Sequence, residues 1–300
     1  MLRILKTTIL FFWICIGHAQ ERYLDDLFSK ISVNTYTYSD TLQLDFYGAK
    51  KDTLKNRPLL ILVHGGGFAS GKRDNPLEKK FCKEMAIKGY AVASISYRLT
   101  RKGKSFGCDC PAKQKLRTFV EISADILQAV SFLSEQRNLF GIDTEKIILI
   151  GSSAGAEGVL NTAFMKHQEE YMTLLYEDLK FAGIVSFAGA VVDARYITPE
   201  NAVPTLLFHG KEDNLVPFGS ASHHYCPSDK SGYLLLDGSA SIAQRLENLK
   251  ISYQLMYDTK GNHDWANLAY RYTDEISEFI KKVVIDEQHI QSKIQIDSNE

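Results

Sequence analysis

The sequence predicts an α/β domain built on a mostly parallel, doubly wound sheet with helices on both faces and a small cap. Three observations predict it. Short runs that are apolar at consecutive positions recur along the chain, as strands covered on both faces require. Stretches of helical length separate them, so strand and helix alternate. The chain has 300 residues, 45% of them hydrophobic, enough to bury one large core, and no Pro/Gly/Ser-rich linker or internal repeat divides it. It therefore reads as one domain over residues 20–285.

In order along the chain, residues 1–19 carry Arg3 and Lys6, then an uncharged apolar stretch at 7–16, then Gly17-His18-Ala19. This is the pattern of a cleaved secretory signal with Gln20 as the first mature residue. It predicts export to a periplasmic or extracellular location. The apolar stretch is shorter than the roughly 20 residues that span a bilayer, so no stable membrane insertion of the mature chain is expected. Residues 35–40 and 42–47 alternate and are β-rich, which suits an antiparallel pair near a sheet edge. Residues 59–63, 91–95, 147–150, 184–187 and 205–208 read as central strands, with a last strand near 253–257. Helices are expected over 77–88, 118–136, 154–166 and 270–284. Residues 74–76, 100–115 and 219–239 do not fit this pattern and are expected over the carboxyl ends of the strands, where open α/β sheets bind ligands. Part of them forms the expected cap, and 286–300 is expected as a polar, frayed tail.

Lys and Arg total 35 against 36 Asp and Glu. With charges so balanced, no nucleic-acid partner is expected. Four cysteines follow the signal: Cys82, Cys108, Cys110 and Cys226. Cys82, beside Phe81 and Met85, reads as a buried thiol. Export permits disulfides, and since Cys108 and Cys110 are too close in sequence to bridge easily, Cys226 is expected to pair with one of them. Zinc held by Cys108, Cys110, Cys226, His223 and His224 is the rival, but the spacing lacks the usual C-x-x-C ligand pair. No metal is expected.

The chemistry concentrates in four places. Gly151-Ser152-Ser153-Ala154-Gly155 sits between an apolar strand and a helix; glycines there let strand and helix approach while the serine is held out in a strained turn. Ser152 competes, but only Ser153 has glycine two residues away on both sides. His64-Gly65-Gly66-Gly67-Phe68 follows the first long apolar strand, and its backbone N–H groups are free to point at a developing oxyanion. Gly66, Gly67 and the N–H of Ala154 are the candidate donors. A serine nucleophile needs a base, and the base needs an orienting carboxylate. His263, in Gly261-Asn262-His263-Asp264-Trp265, lies in the loop between the last strand and the last helix. His223 and His224 are rival bases, expected instead to line the cap. For the carboxylate, Asp213 in His209-Gly210-Lys211-Glu212-Asp213-Asn214-Leu215-Val216-Pro217 is favoured, because a short acid suits a tight loop. Glu212 and Asp264 remain alternatives.

These four motifs together resemble the α/β-hydrolase carboxylesterases, and more narrowly the bacterial esterase/lipase group that includes hormone-sensitive-lipase-like and feruloyl or acetylxylan esterases. The order Ser153, Asp213, His263 is the order that fold uses. The resemblance implies Ser153 as nucleophile, His263 as base, Asp213 as its orienter, Gly66, Gly67 and Ala154 as oxyanion donors, and no cofactor. It also matches Asp125, on the helix before the nucleophile strand, to a structural acid. The chain departs from the group at Ser152, where hormone-sensitive-lipase relatives commonly carry Asp, at Ala156-Glu157, which replaces a small pair, and in the Asp213 loop. The function implied is hydrolysis of carboxylic esters, either small-molecule esters or acetyl or feruloyl groups on plant polysaccharide. Two rivals are a prolyl-oligopeptidase-like exopeptidase and a non-catalytic binding protein on the same fold. Aromatic residues expected near the site are Phe68, Tyr97, Phe106, Tyr225 and Trp265.

Overall fold

The computed structural model describes residues 20–166, 168–172, 174 and 179–297. The export signal expected at 1–19 lies outside them.

A hairpin of β1 (Ile31–Ser39) and β2 (Leu42–Ala49) opens the chain. Then come β3 (Arg57–Val63), α1 (Pro76–Ile87), β4 (Ala91–Ile95), α2 (Ala112–Glu135), a short α3 (Arg137–Phe140) and β5 (Ile142–Ser152). They are followed by α4 (Ala154–Phe164), a single-turn α5 (Glu169–Met172), β6 (Gly183–Phe187), β7 (Ala190–Val191), β8 (Thr205–Gly210) and β9 (Ser220–Ser222). The chain continues through β10 (Leu235–Gly238), α6 (Ser239–Asn248), β11 (Tyr253–Asp258), α7 (Trp265–Leu268), α8 (Thr273–Phe279) and β12 (Gln291–Gln295). Among the described residues the main sheet runs β1-β2-β4-β3-β5-β6-β8-β11-β12. It is antiparallel through the β1, β2 and β4 pairs and parallel from β4 onward.

Side-chain alternation along buried strands explains why the central runs are apolar at every position. In β3, Leu59, Ile61 and Val63 enter one core with Phe119, Val159 and Ile242 from α2, α4 and α6. Leu60 and Leu62 enter the other with Phe81, Trp265 and Ile276 from α1, α7 and α8. In β5, Ile147 and Leu149 divide from Ile148 and Ile150 in the same way. The doubly wound sheet is thereby covered on both faces.

The structure corrects several boundaries. α2 begins at Ala112, so the insertion expected over 100–115 ends at Pro111. The expected single helix over 270–284 is a 3₁₀ turn at Ala269–Arg271, then α8, then a π-helical stretch at Ile280–Ile285. The tail expected to fray supplies β12, which pairs in parallel with β11 from Tyr253↔Gln291 to Tyr257↔Gln295. Its polar sequence suits a strand with one open edge, which charged residues protect, while Ile290 and Ile296 pack against the core below.

The expected cap is a three-stranded sheet, β7-β10-β9, formed by the chain after β6 and the insertion after β8. A disulfide between Cys108 and Cys226 ties that insertion to the loop after β4. This selects Cys108 as the partner of Cys226 and removes both from the rival zinc cluster. Cys82 and Cys110 are buried free thiols. The two cysteines are 118 positions apart in sequence, and closing a loop of this length stabilises the fold by roughly 2–5 kcal/mol, chiefly by constraining the unfolded chain.

Candidate active site

β5 runs into α4 through Ser153, which takes φ 49° and ψ −120°. A serine at positive φ stores roughly 1–3 kcal/mol of strain. Hydrogen bonds hold it there, the Ser153 N–H donating to the Phe187 carbonyl at 2.8 Å and the Glu157 N–H to the Ser153 carbonyl at 2.9 Å. The flanking glycines are needed for close approach. A Cβ on Gly155 would lie 2.1 Å from the Val63 carbonyl oxygen, and one on Gly151 would lie 2.3 Å from the Gly155 oxygen.

The loop after β11 brings His263 to this turn, with Nε2 2.8 Å from Ser153 Oγ. Its Nδ1 lies 2.7 Å from Asp213 Oδ2. The acid and histidine loops are joined by backbone bonds, from the Lys211 N–H to the Asp258 carbonyl and from the Glu212 N–H to the Gly261 carbonyl. Asp213 is 1% exposed, and its Oδ1 accepts from the N–H groups of Leu215 and Val216 at 2.8 and 2.9 Å. Burial alone would raise its pKa, but hydrogen bonds and Coulomb attraction from His209 and His263 outweigh that and hold the carboxyl well below the ordinary value. Glu212 and Asp264, the alternative acids, are exposed. Ser152 is turned away, its hydroxyl donating to the Ala266 carbonyl at 2.7 Å.

Ser153, His263, Gly66, Gly67 and Ala154 all face one cleft of about 580 Å³. Gly65 abuts the serine turn, since a Cβ there would meet Ser152 Oγ at 3.2 Å and Ser153 Cβ at 3.3 Å. Gly66 takes φ 118° and its carbonyl accepts from the N–H groups of Ala69 and Ser70. Ala154 opens α4, so its N–H is one of the helix-start donors without an intrahelical acceptor. The arrangement can deprotonate a serine hydroxyl, hold the resulting imidazolium against a carboxylate, and meet negative charge at a helix start.

His209, which opens the Asp213 loop and to which the sequence alone assigns no role, is fully buried beside Asp213. Its Nε2 lies 3.2 Å from Asp213 Oδ2 and 3.1 Å from the Val216 carbonyl, and its Nδ1 lies 2.8 Å from Ser239 Oγ. Asp213 thus faces two imidazoles. His223 and His224 are brought to the cleft wall rather than to Ser153 Oγ. Burial first, then the charges of His223, Lys115 and His263, push the His224 pKa down to about 3, so it is neutral near neutral pH. Asp125 accepts from the Arg98 N–H at 2.8 Å and its Nε at 2.7 Å, away from the cleft. Of the five aromatics expected near the site, only Phe106 lines the cleft among the described residues. Phe68 and Tyr97 are buried in one core and Trp265 in the other, while Tyr225 is 49% exposed. Sequence reasoning also missed Glu157 in the wall. Its spacing of four residues after Ser153, one helical turn, was the available signal.

Residues 44–194 match the family model described as BD-FAE. Gut esterase 1 of Caenorhabditis elegans is 29% identical over 126 residues, which covers 42% of this chain and 21% of that protein. Lipase 2 of Moraxella sp. (strain TA144) is 32% identical over 97 residues, covering 32% of this chain and 19% of that protein. The chain thus spans about a fifth of the length of these two curated relatives. Among solved structures, the butyrate-bound thermophilic esterase 2 of Thermogutta terrifontis superposes with a TM-score of 0.57 at 18% identity, covering 84% of this chain and 94% of that one. The fold is that of the α/β hydrolases, as the motifs imply.

Proposed function

The chain belongs to the BD-FAE family, and from that premise we propose that it is an exported serine carboxylesterase. The observation that carries this reading is the unbroken line from Ser153 Oγ to His263 Nε2 at 2.8 Å and from His263 Nδ1 to Asp213 Oδ2 at 2.7 Å, opening on the cleft. Ser153 Oγ attacks the ester carbonyl carbon while its proton passes to His263 Nε2. The carbonyl oxygen becomes an oxyanion and is met by the N–H groups of Gly66, Gly67 and Ala154, each donor lowering the barrier by roughly 10²–10³ in rate. Collapse of the adduct breaks the C–O bond, and the alcohol leaves with the proton held by His263. Water then attacks the acyl-enzyme, giving its proton to His263, and the acid is released as Ser153 regains its own.

Esters of short acyl groups such as acetyl, or of feruloyl groups on polysaccharide, are the substrates this reading favours. The export pattern at 1–19 supports an extracytoplasmic polymer, and the butyrate held by Thermogutta terrifontis esterase 2 supports a short acyl chain. A panel of p-nitrophenyl esters from acetate to dodecanoate, with acetylated xylan and methyl ferulate beside them, tests it. The expected result is turnover of acetate and butyrate, with dodecanoate slow or inert. Cleavage of aminoacyl anilides with no ester hydrolysed would contradict the proposal.

A further inference from the structure

Two polar atoms at the cleft wall have no hydrogen-bond partner among the described residues, Oε1 of Glu157 and Nδ1 of His223. Their side chains are 2% and 1% exposed, and both residues line the cleft that holds Ser153. Glu157 Oε1 lies 3.3 Å from His223 Nε2, near enough for Coulomb attraction but without hydrogen-bond alignment. Buried polar atoms left unpaired are costly and uncommon, and they mark places where a partner is supplied from outside.

The pair is held rigidly. Glu157 stands one turn along α4 from Ser153. The His223 N–H donates to the Leu234 carbonyl and the His224 N–H to the Leu215 carbonyl, both at 2.8 Å. Three residues beyond His223, Cys226 is anchored to Cys108. Phe106, two residues before Cys108, packs edge-on to the His223 ring at 5.2 Å and supplies an apolar wall. The buried Lys115 ammonium, which donates to the Gly232 carbonyl at 2.8 Å, already stands in the field of Glu157, and His223 Nε2 lies 3.3 Å from its Oε1. What the pair lacks is a neutral hydrogen-bonding group rather than a second cation. A hydroxyl can donate to Oε1 and accept from a protonated Nδ1, and against a neutral imidazole a second hydroxyl can donate to Nδ1.

We infer that Glu157 and His223 form a hydroxyl-binding subsite that selects esters of polyols or hydroxy acids over plain alkyl esters. The inference rests on Ser153 being the nucleophile of the same cleft. Matched esters test it on both sides of the scissile bond: glycerol 1-monobutyrate against propyl butyrate for the alcohol, and ethyl 3-hydroxybutyrate against ethyl butyrate for the acid.

The expected kcat/KM favours the hydroxylated member of at least one pair by about tenfold or more, since a site built to bond a hydroxyl discriminates strongly against its absence. Glu157→Leu and His223→Phe should each collapse that ratio towards one, whereas a merely structural role would lower all four esters alike. Ratios near one in both pairs for the wild type, measured before any variant, would overturn the inference. So would a preference that survives both substitutions, or a stronger preference for butyrylcholine, a cationic ester. A wild type that hydrolyses none of these esters would bring down the nucleophile reading and this inference with it.

Discussion

Replacing Ser153 by alanine is expected to lower kcat on p-nitrophenyl acetate by about 10⁶, leaving only the residual rate that binding and the oxyanion donors supply. The expectation follows from the turn between β5 and α4. Ser153 Oγ is the hydroxyl that lies 2.8 Å from His263 Nε2, whereas the hydroxyl of Ser152 is spent on the Ala266 carbonyl. Ser152→Ala should therefore leave the chemistry in place and act through the packing of α7 beneath the histidine loop. Alanine at 153 keeps the same backbone requirement, so the melting temperature should change little while the rate collapses. Steady-state kinetics beside a thermal melt separates the two effects, and a Ser153→Ala enzyme with more than a few per cent of wild-type kcat would rule out Ser153 as the nucleophile.

Asp213→Asn is expected to cost about 10⁴ in kcat. The carboxylate fixes the His263 tautomer by accepting from Nδ1, leaving Nε2 free to take the serine proton, and it stabilises the imidazolium that follows. An amide in its place offers the wrong donor to one or both of the imidazoles that Asp213 now faces at 2.7 and 3.2 Å. The pH dependence follows from the same contacts. Because the folded carboxyl titrates below its unfolded value of about 3.9, its contribution to stability is fully present above that value. It is lost as pH falls towards the folded pKa. Urea melts between pH 6 and pH 3 should show the wild type losing stability at the acid end of that range, and the Asn variant losing less. Equal acid sensitivity in both would mean that the Asp213 contacts do not hold its proton off.

Which parts of the molecule were legible beforehand follows from what burial does to sequence. Leu59 to Val63 announced a central strand because both faces feed cores, so no polar residue interrupts the run. The serine turn and the glycine-rich loop were legible because close approach removes side chains, as at Gly155 against Val63. β12 was hidden because an edge strand is allowed to be polar, and four of its five residues are exposed. α6 was hidden for a related reason. Only Ser239, Ile242, Ala243 and Leu246 of its ten residues are buried, and Gly238 gives it no side-chain cap. The Glu157–His223 contact joins a helix to an insertion 66 positions later, a register that the disulfide and the small sheet set together, and no local pattern encodes it. The aromatics misled because large rings near catalytic motifs are more often core, as Trp265 is, donating to Asp258 from a fully buried position.

The central claim is that Ser153 is a nucleophile activated by His263 and Asp213. Reaction of the whole protein with a fluorophosphonate probe, followed by intact mass and peptide mapping, tests it most directly. One adduct per chain, located on Ser153, absent in Ser153→Ala and formed far more slowly in Asp213→Asn, is the predicted result. An adduct on Ser152 or elsewhere, or no adduct on a protein that hydrolyses esters, would contradict it.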